Sequence, residues 1–297
     1  MMYVLAILAA FFLGMQCIDA LVNFFFSVRL KKGSFSSSDR VSVLIPARNE
    51  EKKIGLLLEQ LILNKNIYEI LIYNDESTDQ TFRVVQDFQK KDSRISLIQG
   101  SSLPKGWLGK NHACDALSKR AQGNYFLFLD ADVILYDDLI EDVLSYLKAK
   151  RLGLVSLFPV QILKSFGEKA SVPIMNYILL TLLPLFLVRL SPFSSHAAAN
   201  GQFMFFDASI YHKIKPHEHF KSAAVEDIAI ARYFKKQKIK ISFLSGDSRC
   251  QCRMYTSYRE ALNGFSKNIY HLFGNIKVFA FGFWLFSSLG FIPVLFI

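Results

Sequence analysis

Cysteine is scarce in this sequence and is not arranged as a staple. The four residues Cys17, Cys114, Cys250 and Cys252 show no disulfide framework, which excludes a small disulfide-built secreted module and suits a reducing compartment. Cys250 and Cys252 form a C-x-C without a CxxC or H-x-x-x-H companion, so two thiols on one strand face are expected, not half a zinc site. No helix-turn-helix, zinc-finger or RNP pattern occurs, which leaves nucleic acid the weakest explanation for a net charge of +10 and a pI of 9.3. Anionic lipid headgroups and phosphorylated substrates remain as partners for that charge. The first apolar run has no basic residues before it and no convincing A-x-A cleavage site after it, so a removable signal peptide is not expected.

What is abundant is apolar. Hydrophobic residues make up 52% of the 297 positions, with 28 Phe among them, and mean hydropathy is +0.25. Charged residues still reach 20%. A soluble domain rarely looks like this, and a polytopic carrier would hold fewer charges. The mixture points to a water-soluble domain attached to a few membrane segments.

Three apolar runs fit that description. Residues 1–28 read as a spanning anchor, its apolar stretch Met2 to Phe26 broken only by Gln16, Asp19 and Asn23. Asp19 is costly there unless paired or near an interface. Arg29, Lys31 and Lys32 follow it, which by the positive-inside rule puts what comes next in the cytoplasm, at an inner or plasma membrane. Residues 172–193 are apolar but broken by Pro173 and Pro184, and suit an interfacial or re-entrant segment. Residues 274–297 read as a further membrane helix; because the chain stops inside it, a truncated C-terminus is expected. Residues 29–40, rich in Ser, read as a flexible linker.

From Val41 the pattern changes. VSVLI (Val41 to Ile45), EILIY (Glu69 to Tyr73), ISLIQ (Ile95 to Gln99) and YFLFLD (from Tyr125) read as short buried strands. Helical spacing separates them, as in Ile54, Leu57, Leu58 and Leu61. Strands alternating with helices predict parallel pairing in a doubly wound α/β sheet, with its ligand crevice at the C-terminal ends of the strands.

The polar motifs fall at those ends. The first strand runs into Pro46-Ala47-Arg48-Asn49-Glu50, a loop able to hold a nucleoside. The second runs into Asn74-Asp75-Glu76-Ser77-Thr78-Asp79; Asp75 can accept from a base N–H, although such a cluster also serves as a plain helix cap. The fourth runs into Asp130-Ala131-Asp132. Two carboxylates at i and i+2 repel unless a cation sits between them, and Mg²⁺ or Mn²⁺ commonly takes one or two carboxylates plus substrate phosphates. Val225-Glu226-Asp227 opens a later helix, where acids suit the dipole but also suit a general base. His217-Glu218-His219 mimics a metal cluster but lacks a third ligand, and a solvated turn is expected. Lys235, Lys236, Lys238 and Lys240 read as a solvated helix end and strand start.

Together, in this order and spacing, the four acidic and polar motifs resemble the family 2 glycosyltransferases of the GT-A fold, over residues 41–273. The resemblance implies a mixed GT-A sheet, a nucleotide-sugar donor and a Mg²⁺ or Mn²⁺ cofactor. It implies donor contacts from Pro46, Arg48, Glu50, Asp75 and Asp130, metal ligation by Asp130 and Asp132, and catalysis by the Glu226-Asp227 pair with Asp227 as base. LPKGWLGK (Leu103 to Lys110) looks like the branch associated with hopanoid and carotenoid glycosylation, which implies a lipid-like acceptor at the membrane. Lys110, at a helix start, then meets the donor phosphates, while Trp107 either packs or faces the acceptor. Asn200, Gly201 and Gln202 sit where the family forms its acceptor-side loop. The Q-x-x-R-W of polymer-extending members is replaced by Gly264 to Asn268; Lys267 keeps the charge, but the Gln and Trp are gone, which speaks against processive synthesis.

The implied mechanism is one inverting displacement, with a UDP-sugar as first donor and GDP-mannose as second. Two rivals stand beside it. Nucleotidyl transfer would want a Gly-rich loop after the first strand, where this chain has PARNE. A non-catalytic scaffold would not need an intact D-x-D and E-D.

Overall fold

The computed structural model describes residues 2–272 together with Val278, Phe281, Gly282 and Leu285. The run at 274–297 lies outside the described residues apart from those four positions.

In chain order, α1 (Met2–Phe25) precedes β1 (Val41–Ala47), α2 (Ile54–Leu63), β2 (Ile67–Asn74), α3 (Thr81–Gln89), β3 (Ile95–Gln99), α4 (Gly109–Arg120) and β4 (Tyr125–Leu129). Next come β5 (Val133–Leu135), α5 (Leu139–Lys150), β6 (Leu154–Phe158), β7 (Val160–Gln161), α6 (Phe166–Ser171), α7 (Pro173–Leu182) and α8 (Phe186–Leu190). The rest is β8 (Phe203–Asp207), α9 (Ala208–Ile214), α10 (Pro216–His219), α11 (Glu226–Lys236), β9 (Ile241–Ser245), β10 (Cys250–Cys252) and α12 (Tyr258–Leu272).

The described chain forms two compact units. One draws on Val28–Ile162 and Val188–Met254, the other on Met1–Ser27, Leu163–Leu187 and the described part of Tyr255–Ile297.

The first unit is built on a seven-stranded mixed sheet, in the order β3-β2-β1-β4-β8-β6-β9. Val41, Val43, Leu44 and Ile45 are fully buried, as a strand covered on both faces requires. On α2 the residues Ile54, Leu57, Leu58 and Leu61, at helical spacing, are buried against that sheet's core. Each such side chain contributes roughly 1.5–3 kcal/mol through removal from water. β1 to β4 pair in parallel, but β8 runs antiparallel to β4, with Leu129 opposite Phe203 and Tyr125 opposite Asp207. The start of β8 therefore lies at the same edge of the sheet as the end of β4. A second sheet, β5-β10-β7, pairs Val133 with Cys252 and so holds the segment leaving the D-x-D. Cys250 and Cys252 share a strand at i and i+2 as expected, both buried and free.

Residues 29–40 are not the free linker that their composition suggests. The Gly33 N–H donates to Asp142 Oδ1 at 2.6 Å and the Ser34 N–H to Ser145 Oγ at 3.2 Å, both on α5. A side chain at Gly33 would collide with Ser145 Oγ and the Glu141 carbonyl, and Val28, Leu30 and Phe35 pack against the core.

In the second unit, α1 carries a 20-residue stretch, Ala6–Phe25, long and apolar enough to cross a membrane. It is the only such helix among the described residues. Neither α7 nor α8 reaches that length. α7 begins at Pro173, tolerated at a first helical position, and ends at the extended Leu183, because Pro184 disfavours helix in the residue before it. That break leaves backbone groups without helical partners, and Asn23 of α1 takes three of them. Its Nδ2 donates to Leu180 O at 2.9 Å and Leu183 O at 2.7 Å, and its Oδ1 accepts from the Leu185 N–H at 2.8 Å. One heptad earlier on the same face, Gln16 Nε2 donates to Tyr177 Oη at 2.5 Å. Two of the polar interruptions in α1 are thus buried against α7, while Ile7, Phe11, Ile18 and Phe24 remain exposed.

Candidate active site

The loops after β1 and β2 are laced together by hydrogen bonds. The Asn49 N–H donates to Ser77 Oγ at 3.0 Å, and Asn49 Oδ1 accepts from the Thr78 N–H at 2.8 Å. The Glu50 N–H donates to Thr81 Oγ1 at 2.7 Å, and the Gln80 N–H to Glu51 Oε2 at 2.9 Å. Asn49 adopts φ 57°, a left-handed conformation that Asn tolerates better than most residues. The lacing sets Arg48 Nη1 at 3.5 Å from Asp75 Oδ2. Asp75 is buried, and its Oδ2 would lie 2.5 Å from a Cβ on Gly109, so a side chain there would displace the Asp75 carboxylate. Pro46 is the penultimate residue of β1, beside this loop.

The N-terminus of α4 is moored from the other side. The Leu108 N–H donates to Lys221 O at 2.8 Å, and Asn111 Nδ2 donates to Phe220, Lys221 and Ala223 carbonyls at 2.8, 3.2 and 3.0 Å. His112 stands between two aromatic rings, edge-on to Trp107 at 5.5 Å and to Tyr73 at 5.8 Å. Trp107 is therefore partly packed, with His112 as its neighbour.

This mooring aims Lys110 at the D-x-D. Its Nζ lies 2.8 Å from Asp130 Oδ1, 3.0 Å from Asp130 Oδ2 and 3.3 Å from Glu226 Oε1. Removal from water would lower the Lys110 pKa, but Asp130 and Glu226 outweigh it and hold the ammonium well above its ordinary value. Asp132 faces Lys53 Nζ at 3.6 Å, and Lys53 in turn lies 4.0 Å from Glu50 Oε2. Burial pushes both D-x-D carboxyls up from the usual range, and for Asp132 the neighbouring Asp130 adds to it. Glu50 is raised for the same first reason, with Lys53 opposing.

Asp132 Oδ1 is buried with no hydrogen-bond partner among the described residues. An orphaned acceptor beside a second carboxylate is a donor set suited to a hard cation. Among the described residues no cluster of three His, Cys, Asp or Glu could complete a shell, so a cation held by Asp130 and Asp132 would draw its other oxygens from water and phosphate.

The loop Asn200-Gly201-Gln202 meets the D-x-D because β8 is antiparallel to β4. The Asp130 N–H donates to Gln202 O at 3.1 Å. Asn200 is fixed by Ser156 Oγ, 2.7 Å from its N–H, and by the Gln202 N–H, 2.8 Å from its Oδ1. Gln202 Nε2 donates to Cys252 Sγ at 2.8 Å. At the head of α11, Asp227 accepts from the Gly201 N–H at 2.9 Å and from the Ile228 N–H at 2.7 Å. Its carboxyl is pushed up to about 7, by removal from water first and by the Glu226 charge second. A Cβ on Gly201 would sit 3.1 Å from Lys110 Nζ, 3.2 Å from Glu226 Oε1 and 3.6 Å from Asp227 Oδ2.

Of the residues expected from sequence, Lys110, Asp130, Gly201, Glu226 and Asp227 are in direct contact, Asp132 and Glu50 are linked through Lys53, and Arg48 and Asp75 form a pair beside the start of α4; Lys267, expected on the acceptor side, is not placed. That residue lies in α12 and its side chain is outside the described set. Two other expectations are corrected. His217 is no part of a solvated turn: it opens into the core, hydrogen-bonded to Tyr211 Oη at 2.7 Å, and burial pushes its pKa down to about 3. The aromatic ring it joins, with Phe128 and Tyr211, outcompetes water for it. Lys235 is buried as well, its Nζ donating to Ser191 O at 2.9 Å and His196 O at 2.7 Å, which ties α11 to the preceding loop. Lys53 was not anticipated; its place three residues after Glu50, capping the helix that follows PARNE, was the available signal.

The glycosyl transferase family 2 model matches residues 42–222, more than half of the chain. The chain belongs to that family. A 4,4'-diaponeurosporenoate glycosyltransferase of Staphylococcus aureus (strain USA300) is 27% identical over 283 residues, covering 93% of this chain and 74% of that protein. Its counterpart in Staphylococcus haemolyticus is 24% identical over 248 residues, and the chain spans only 63% of its length. In fold the chain is similar to mannosyltransferase PcManGT from Pyrobaculum calidifontis, solved with GDP-Man and Mn²⁺, at TM-score 0.65 and 16% identity, covering 91% of this chain and 73% of that one. It is also similar to Staphylococcus aureus TarS residues 1–349, at TM-score 0.50 and 18% identity over 78% of this chain and 65% of that one. The likeness fits the mixed α/β sheet of a GT-A glycosyltransferase.

Proposed function

We propose that this family member transfers a sugar from a nucleotide donor to a lipid-like acceptor at the cytoplasmic face of a membrane. The observation that carries the reading is the convergence on Gly201: the ammonium of Lys110, the carboxylate of Glu226 and the carboxylate of Asp227 all lie within 3.6 Å of one point beside it. A donor diphosphate needs cationic support, and an acceptor hydroxyl needs a base, at one place.

Arg48 and Asp75 bind the nucleoside, and Asp130 and Asp132 are the residues that would hold Mg²⁺ or Mn²⁺. Such an ion, when bound, neutralises charge on the leaving diphosphate. Lys110 supplies a second positive charge there. Asp227 removes the proton from the acceptor hydroxyl as its oxygen bonds to the anomeric carbon, and the carbon–oxygen bond to the diphosphate breaks on the opposite face. One displacement inverts the anomeric centre. Glu226 raises the basicity of Asp227, and the Gly201 N–H orients it. A UDP-sugar is the first donor to test and GDP-mannose the second.

The lipid-like acceptor is supported by the names of the relatives, whose acceptor is 4,4'-diaponeurosporenoate, and by an N-terminal helix long enough to cross a bilayer. Arg29, Lys31 and Lys32 after α1 support the cytoplasmic side. The test is purified chain in detergent with labelled UDP- or GDP-sugars and a lipid extract. Label should move to the organic phase with release of nucleoside diphosphate, and EDTA should stop it. Equal use of short soluble oligosaccharides would overturn the acceptor assignment, and full activity in EDTA the metal assignment.

A further inference from the structure

Lys110 is committed to more than the diphosphate it is expected to meet. An ammonium has three N–H donors, and three carboxylate oxygens lie around this one: both oxygens of Asp130, at 2.8 and 3.0 Å, and Glu226 Oε1 at 3.3 Å. The grip on Asp130 reaches both oxygens, Oδ2 by a hydrogen bond and Oδ1 by charge at close range. Asp132 is treated differently. Its lysine, Lys53, stands 3.6 Å away from Oδ2, beyond hydrogen-bonding distance, and Oδ1 has no hydrogen-bond partner among the described residues. Of the two carboxylates, Asp130 is held by a close ammonium, whereas Asp132 has the Cys252 thiol as its hydrogen-bonding neighbour and keeps Oδ1 without a partner among the described residues.

A divalent cation drawing on both carboxylates would approach the Lys110 ammonium at Asp130, and like charges at that range repel strongly in a partly buried site. The conflict ends if the ammonium acquires another anion. A nucleoside diphosphate brings one, on the side of α4 where Lys110 begins the helix. Glu226 keeps hold of the same Nζ while Asp130 is released.

We propose that Lys110 is the resident counter-ion of Asp130, so that a divalent cation binds the free protein weakly and binds well only together with a nucleoside diphosphate, which takes over the ammonium. This rests on the D-x-D being the cation site. Lys110 is in this respect a positioning residue: it decides when Asp130 becomes a ligand.

The experiment reads Mn²⁺ binding and no turnover. The full chain in detergent is titrated with Mn²⁺, free ion being followed by electron paramagnetic resonance, with and without saturating UDP. Wild type should gain about tenfold or more in Mn²⁺ affinity when UDP is present, and by reciprocity UDP should gain the same factor from Mn²⁺. Lys110→Gln should bind Mn²⁺ about tenfold more tightly than wild type without UDP, and its gain from UDP should shrink. Lys110→Met, which also removes the charge, repeats the measurement should the Gln variant unfold. Unchanged or weaker Mn²⁺ binding by a folded Lys110→Gln or Lys110→Met without UDP overturns the proposal. So does wild type binding Mn²⁺ equally well with and without UDP, an outcome that leaves the cation site itself standing. Absence of Mn²⁺ binding in wild type even with UDP overturns the metal assignment under Proposed function instead.

Discussion

The backbone N–H of Gly201 donates to Asp227 Oδ2 at 2.9 Å, so the loop entering β8 and the first turn of α11 are joined at the group expected to take the acceptor proton. Because β8 begins where β4 ends, the same loop also receives the Asp130 N–H, on Gln202 O. Metal-side and base-side acids are thus carried by one short stretch of backbone.

Substituting Gly201 tests that arrangement. In Gly201→Ala the added methyl meets Lys110 Nζ at 3.1 Å and Glu226 Oε1 at 3.2 Å, both ends of side chains that can move, so the protein should fold with a near-normal melting temperature. Turnover should fall about tenfold or more, because small displacements of positioned groups are costly to catalysis. Steady-state kinetics beside thermal unfolding separate the two effects, and an unchanged kcat would remove Gly201 from the site.

Asp227 carries the pH dependence. Its carboxyl has an ordinary value of 3.8 and is raised to about 7, and only the deprotonated form can act as a base. In kcat/KM the acid limb should therefore lie near pH 7, activity falling tenfold per unit below it and levelling above it, where an ordinary carboxyl would place the fall near pH 4. Asp227→Asn should keep donor affinity and lose about 10²–10⁴ in turnover. Equal loss of UDP binding would make Asp227 a binding residue.

The D-x-D prediction concerns Asp132, the carboxylate that Lys110 does not hold. Asp132→Asn removes that ligand and should abolish transfer together with Mn²⁺-dependent UDP binding, measured by calorimetry, while near-ultraviolet circular dichroism stays unchanged. Retention of that Mn²⁺-dependent UDP binding in Asp132→Asn would remove Asp132 from the cation site.

A fourth outcome lies far from the chemistry. Asn23→Leu leaves the carbonyls of Leu180 and Leu183 and the N–H of Leu185 without their α1 contacts. Each hydrogen bond so lost is worth about 0.5–1.5 kcal/mol. Limited proteolysis should show faster cleavage around Leu183 to Leu185 than in wild type, with the sheet unit intact. Equal protection would show that the seam contributes little to holding this segment.

Much of the fold was written locally. ISLIQ became β3 at the same limits, VSVLI and EILIY were each extended by two or three residues, and Ile54, Leu57, Leu58 and Leu61 face the core as their spacing required. What escaped the sequence was set by distant partners. Residues 29–40 look flexible because serine has little to pack, yet Asp142 and Ser145 on α5 hold them. His217 and Lys235 look solvated because both are polar, yet an aromatic ring and three carbonyls claim them. In the site, the acids were legible one by one, at strand ends for Asp75, Asp130 and Asp132 and at a helix start for Glu226 and Asp227. The Lys110 bridge between two of them was not, since it depends on the antiparallel insertion of β8, which a short run such as FMFFD does not announce.

The Asn23 seam also fixes an order of events during synthesis. Asn23 leaves the ribosome 157 residues ahead of Leu180, the first carbonyl it will bind. At ordinary elongation rates that is about 8–30 s in which α1 must wait with its amide unmatched by α7. The helix that arrives first is therefore completed only once α7 has been made, and the maturation of α1 is timed by the arrival of a segment made after most of the sheet.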